Sequence, residues 1–98
     1  MKKTVFLLSA LAEPTRLAAL LVLWDGRERC VCELMETLEK SQSCVSRHMA
    51  TLKQAGFVVD RRDAQWVRYR KNPGLPPKIE ALAQAALDLA RPSKRKDS

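Results

Sequence analysis

A mainly helical fold carrying one small β-hairpin is what these 98 residues predict, on three observations. Apolar side chains recur at helical spacing along most of the chain, in stretches punctuated by Pro, Gly and short polar turns. Two of those stretches are joined by nothing more than Glu39-Lys40-Ser41. Directly after Gly56 the period drops from that of a helix to that of a strand. Helix, tight turn, helix and then hairpin is the winged helix-turn-helix arrangement.

Each element has its own justification. Residues 3–11, read from Lys2, form a short apolar helix. Glu13-Pro14 starts a second, with Pro14 suited to a first turn, Leu17, Leu20, Leu21 and Trp24 at helical spacing, and Asp25-Gly26 as its end. Arg27 to Val31 is short and charged. A compact helix follows from about Cys32 to Leu38, turning Leu34 and Leu38 inward. The next runs from Ser41, a good N-cap, to Gly56, where a left-handed exit is expected. Val45, Met49 and Leu52 make its apolar stripe, while Ser43, Arg47, Ala50 and Gln54 face the other way. Phe57–Asp60 and Trp66–Arg70 read as two strands around a turn near Arg62–Gln65, with Val67 and Tyr69 on one face and Trp66, Arg68 and Arg70 on the other. Pro76-Pro77 opens a last, alanine-rich helix through about Ala90, with Ile79, Leu82, Ala86 and Leu89 on one stripe. One domain over residues 1–90 and a basic, disordered tail over 91–98 are expected. The terminal helices carry more apolar surface than so small a domain covers, which predicts a homodimer through them.

Composition narrows the function. The net charge is +7, unevenly spread. Between residues 41 and 71 Arg47, Lys53, Arg61, Arg62, Arg68, Arg70 and Lys71 meet only Asp60 and Asp63, whereas residues 25–39 are locally acidic. A basic half of this kind fits a polyanion. With one histidine, no Gly-rich phosphate loop and no paired nucleophile and base, no catalytic constellation assembles, so an enzyme is not expected. No apolar run is long enough to cross a bilayer and the N-terminus lacks a cleavage pattern, so the expectation is a cytoplasmic protein without a membrane partner.

The Ser41–Gly56 helix contains no carboxylate, so it suits the groove of double-stranded operator DNA. Gln42, Ser43, Ser46 and Arg47 are the candidate groove contacts, with Arg47 placed for a guanine edge. His48, near the apolar boundary, is a phosphate contact or a packed side chain. Arg61, Arg62, Arg68 and Arg70 would meet backbone and minor groove from the wing.

Three cysteines, an odd count, suggest thiols or a ligand site in place of a disulfide framework. Thiolates are soft ligands suited to As(III), Sb(III) and Cd(II). Cys30 and Cys32, one residue apart at a helix start with Arg27 and Arg29 nearby, form the candidate pair, the location favouring the thiolate. Residues i and i+2 of a helix point about 160° apart, so either Cys30 lies before the helix or the first turn distorts when an ion is captured. Cys44 and Met35 are the candidate third ligands, and water or a small cellular thiol is the other source.

Cys30-Val31-Cys32-Glu33-Leu34, the run Ser41–Leu52, Gly56-Phe57-Val58 and Trp66-Val67-Arg68-Tyr69 together resemble the ArsR/SmtB family of bacterial winged-helix repressors that sense metals and metalloids. The likeness extends from about Pro14 to Asn72 and is nearest the arsenic-resistance branch, whose signature is Cys-Val-Cys-Asp-Leu-Cys. It implies a dimeric repressor that holds an operator until As(III) or Sb(III) binds as inducer, with no permanent cofactor. Cys30 and Cys32 match the first two signature thiolates, and Met35 stands where the third would be. Related zinc sensors use Asp and His on the last helix, where this chain has Glu80 and Asp88 but no histidine. A thiol-based redox-responsive repressor, a Cd(II)/Pb(II)-type sensor and a metal-carrier or zinc-stabilised module are the rival readings.

Overall fold

The computed structural model describes residues 1–91, so the tail expected over 91–98 lies outside the described residues except for Arg91. In order, the elements are α1 (Lys2–Leu11), α2 (Pro14–Leu23), β1 (Arg29–Cys30), α3 (Val31–Leu38), α4 (Gln42–Gln54), β2 (Val58–Asp63), β3 (Trp66–Lys71) and α5 (Pro77–Ala90). The expected winged helix-turn-helix is present, with α3 and α4 as its helix pair and β2–β3 as the wing.

Local chemistry explains the boundaries. Glu13 caps α2 by accepting from the Arg16 amide at 2.9 Å, ahead of Pro14, whose missing N–H costs nothing in a first turn. Ser41 caps α4 through the Cys44 amide at 3.2 Å. Gly56 leaves that helix at φ +86°, a conformation that a Cβ disfavours. The turn between α3 and α4 is tighter than its sequence advertises, because Glu39, not a glycine, takes the left-handed conformation at φ 56°.

Leu20, Leu23, Leu34, Val45, Met49, Leu52, Phe57 and Leu87 are fully buried and form one core between α2, α3, α4, the sheet and α5. Trp24 and Lys71 lock the last helix to the body. The Trp24 indole N–H donates to Gln84 Oε1 at 2.8 Å, and Lys71 Nζ lies 4.0 Å over the Trp24 ring while pairing with Glu80 at 2.7 Å.

Three details differ from expectation. The charged stretch before Cys32 contains a strand: β1 adds to β3 and gives a three-stranded antiparallel sheet in the order β1-β3-β2. Two residues are too few to show a period, so the sequence carries no local signal for this strand. β2 continues to Asp63, so Arg61 and Arg62 sit within the strand and the turn shrinks to Ala64-Gln65, with Ala64 at φ 58°. In α5 the buried positions are Ala83 and Leu87, with Ile79, Leu82 and Ala86 half-buried beside them and Leu89 almost fully exposed. The expected stripe is thus offset from the face that meets the core. No single helix among the described residues is long and apolar enough to cross a membrane.

Candidate thiol site and nucleic-acid interface

Cys30 lies before α3, not within it. It is the N-cap residue, with extended backbone at φ −66° and ψ 150°, so of the two geometries that the spacing left open the undistorted one holds. Its Sγ accepts from the Cys32 amide at 3.3 Å, and its own N–H donates to Glu33 Oε1 at 2.8 Å. A sulfur therefore fills the role usually taken by a serine or threonine oxygen. The Cys32 backbone amide on the Cys30 sulfur ties the two residues together at the start of α3.

The pair is chemically asymmetric. Burial alone would raise the Cys30 thiol, but the hydrogen bond from the Cys32 side chain, the Cys32 and Glu33 amides and the charge of Arg68 together hold it below its ordinary value. Cys32 moves the other way, pushed up mainly by its hydrogen bond to Cys30 and then by partial desolvation. Of Arg27 and Arg29, both expected to favour the thiolate, Arg29 pairs instead with Asp25 at 3.1 Å. Arg68 takes their place because Cys30 and Arg68 are direct partners in the β1–β3 register.

Cys30 is buried and Cys32 is exposed. Cys32 opens on a shallow depression of about 570 Å³ that Met35, Glu36 and Glu39 also line. Cys44 is half-buried on α4. No group of three or more His, Cys, Asp and Glu side chains gathers among the described residues, so Cys44 is not brought to the pair. Met35 is half-buried against the core beside Cys32.

On α4, Gln42, Ser43 and Arg47 are exposed and Ser46 is half-buried; Ser43 and Arg47 lie on the side away from Val45, Met49 and Leu52, while Gln42 and Ser46 lie nearer the Met49 edge of that stripe. His48 is packed inward: Arg16 Nη1 lies 3.1 Å from its Nδ1, and Glu13 Oε1 is 3.8 Å away. Since a guanidinium only donates, Nδ1 accepts in this contact. Arg16 also donates to the Ala10 and Ser9 carbonyls at 2.7 and 3.2 Å, so it ties the end of α1 to α4.

The wing arginines divide into two kinds. Arg62 and Arg70 are exposed and form no ion pair among the described residues. Arg61 donates to both oxygens of Glu28 at 2.7 and 2.9 Å, and Arg68 Nε donates to Asp63 at 2.8 Å. The Arg61 hydrogen bonds hold the Glu28 carboxyl below its ordinary value, with Arg68 and Arg70 adding to the effect. Glu28, Asp63 and Arg16 are the residues that sequence reasoning missed. Their roles rest on register and long-range contact, and only the local acidity of residues 25–39 hinted at a partner for the wing.

Fold and site together define a winged helix-turn-helix protein with a thiol pair at the start of its first motif helix. Residues 13–59 match the family model "Bacterial regulatory protein, arsR family". The Arsenic resistance transcriptional regulator ArsR2 of Pseudomonas putida is 45% identical over 78 residues, 80% of this chain and 68% of that protein. The Arsenical resistance operon repressor of Escherichia coli is 43% identical over 70 residues, 71% of this chain and 60% of its own length. The solved structure of reduced HlyU from Vibrio cholerae superposes with a TM-score of 0.76 at 36% identity, over 93% of this chain and 92% of that one. The chain belongs to the arsR family of bacterial regulatory proteins, a family of regulators and not of enzymes. It spans between 60% and 68% of the length of these curated relatives.

Proposed function

We propose that the chain is a cytoplasmic, homodimeric repressor that binds double-stranded operator DNA through α4 and the wing and releases it when As(III) or Sb(III) bonds to Cys30 and Cys32. The observation that carries this reading is the placement of two cysteines at the α3 N-terminus, Cys30 as its cap with the sulfur held toward the thiolate and Cys32 open to solvent. The names of the arsenic-resistance relatives support the choice of ion.

The chemistry is a ligand exchange. As(OH)3 takes two thiols, forms two As–S bonds and releases two waters, leaving one hydroxide on arsenic. A small cellular thiol can replace that hydroxide, so the missing third cysteine is supplied from outside the chain. Capture withdraws the Cys30 sulfur from the Cys32 amide, and α3 loses its N-cap. Because α3 packs Leu34 into the core beside Val45 and Met49 of α4, loosening its first turn disturbs the pose of the reading helix. Moving the operator from almost fully held to almost fully released requires roughly 5.5 kcal/mol of differential affinity, a quantity that two thiolate sites per dimer are suited to supply.

Gln42, Ser43, Ser46 and Arg47 read the groove in this account, and the wing arginines contact phosphate. His48 supports α4 from inside through Arg16. Dimerisation uses the apolar residues that α1 and α5 leave exposed, among them Val5, Phe6, Leu8 and Leu89.

A second reading uses the same free thiols as a redox switch, and it is favoured by a Cys30 sulfur held toward the thiolate beside an exposed Cys32. One titration separates the two: release of labelled operator by As(III), Sb(III), Cd(II), Pb(II), Zn(II) and peroxide, in the wild type and in Cys30→Ser, Cys32→Ser. Release by As(III) from the wild type alone is the expected result. Release that persists in the double variant removes the pair from the mechanism, and release by peroxide without metal establishes the redox reading.

A further inference from the structure

The outer face of the sheet holds a cluster that the account above leaves half used. Arg61 and Arg68 are direct cross-strand partners, and Arg70 lies two residues along the same face. Like charges placed opposite each other across a strand pair are unfavourable, so this arrangement calls for an anion between them. Asp63 is that anion for Arg68, and Glu28 is that anion for Arg61. Glu28 comes from the loop ahead of β1, grips Arg61 with both oxygens at 2.7 and 2.9 Å, and borders a cleft of about 90 Å³ that Val59, Asp60, Arg61, Arg68 and Arg70 also line, the Asp60 carboxylate being paired with Lys53 at 3.0 Å.

We propose that this cleft is a phosphate seat and that Glu28 is its internal occupant, displaced by a backbone phosphate when DNA binds. The inference rests on the wing contacting DNA, as proposed above, and adds a competitor for that contact. A carboxylate and a phosphate offer a guanidinium the same two-oxygen fork, so one can substitute for the other without rebuilding the site. The exchange is open to solvent: the Arg61 side chain is 56% exposed and that of Glu28 31%. Exposed pairs of this kind are weak, and a phosphate brings additional gain by releasing condensed counterions from the duplex. Arg68 keeps a partner of its own meanwhile, because its Nε donates to Asp63 at 2.8 Å. Glu28 precedes Cys30 by two residues, so the exchange frees the loop that delivers the sensing thiol.

The test is binding of the full-length protein to operator and to random duplex across a salt series. Glu28→Gln is expected to tighten both by about three- to tenfold, and the gain is expected to vanish when Arg61→Ala is combined with it. Arg61→Ala alone is expected to weaken both and to reduce the salt slope by about one. Glu36→Gln, which removes an equal charge from a carboxylate of α3 that pairs with no wing arginine, is expected to change little. If Glu28→Gln upsets the fold, as a thermal melt will show, Glu28→Asp keeps the charge but is too short for the fork, and a smaller gain is expected. Affinity that is unchanged or lower in Glu28→Gln and Glu28→Asp, or an equal gain in Glu36→Gln, overturns the proposal. If Arg61→Ala and Arg70→Ala both bind DNA as the wild type does, the wing itself is off the DNA and the parent reading fails instead.

Discussion

Cys30 and Arg68 stand directly opposite each other in the β1–β3 register. The buried sulfur of the thiol pair and an arginine of the wing therefore share one face of the sheet. Each acts on the other: Arg68 favours the Cys30 thiolate, and a charged Cys30 in turn favours the Arg68 cation. The proposed sensing site and the proposed DNA surface are thus adjacent through two hydrogen-bonded strands.

Arg68→Ala is expected to raise the Cys30 pKa toward that of an ordinary thiol, since the lost cation stabilised only the deprotonated form. The pH profile of iodoacetamide alkylation, resolved at Cys30 by peptide mapping, will move to higher pH. Cys32, already raised by its bond to Cys30, is expected to stay the slower thiol at neutral pH despite its greater exposure. Equal rates at both sulfurs would contradict the asymmetry.

Arg47→Ala should separate base reading from phosphate contact. Arg47 is exposed on the outer face of α4, and a bidentate contact to guanine contributes about 1–3 kcal/mol of discrimination. Operator affinity should fall roughly ten- to a hundredfold while random duplex is weakened much less. Matched losses on both duplexes would reassign Arg47 to the backbone.

Two residues without the freedom of glycine occupy left-handed conformations, Glu39 at φ 56° and Ala64 at φ 58°. Each carries a steric penalty that glycine avoids, set against the larger backbone entropy of an unfolded glycine. Glu39→Gly and Ala64→Gly should each stabilise the fold by about 0.5–1 kcal/mol, visible as a rise of about 2–6 °C in melting temperature. A fall in either would show that the local turn tolerates its side chain without cost.

Acid should destabilise the protein. Glu28 is held below its ordinary value by Arg61, Asp63 by Arg68 and Asp25 chiefly by the Arg27 amide. Groups lowered in the folded state contribute stability that is present above their unfolded pKa values and is lost as the pH falls through the folded ones. Urea midpoints should be level above about pH 5 and decline below it, and Asp63→Asn, Glu28→Gln should flatten the decline.

Charges on the exposed apolar faces of α1 and α5 should disrupt assembly. Val5 is 58% exposed and Leu89 90%, so Val5→Glu with Leu89→Glu alters no buried core contact of the single chain. Sedimentation should report a monomer where the proposed assembly makes the wild type a dimer, together with weaker operator binding. An unchanged dimer would place the interface elsewhere.

Amphipathic period and turn chemistry are local properties, and they made the helices, the helix-turn-helix and the wing readable from the residues alone. The stripe of Val45, Met49 and Leu52, the cap at Ser41 and the exit at Gly56 each depend on a few neighbours in the chain. The thiol pair was legible for the same reason, because a spacing of two limits its geometry to two choices. Tertiary structure decided between those choices and selected the partners of each charge. Cys30 became a helix cap facing Arg68 because a two-residue strand, too short to show any pattern, docked on β3. Arg61 met Glu28 across 33 positions of sequence, and His48 met Arg16 across 32. Pairings at that separation are fixed by register and packing, which the order of residues specifies only once the chain has folded.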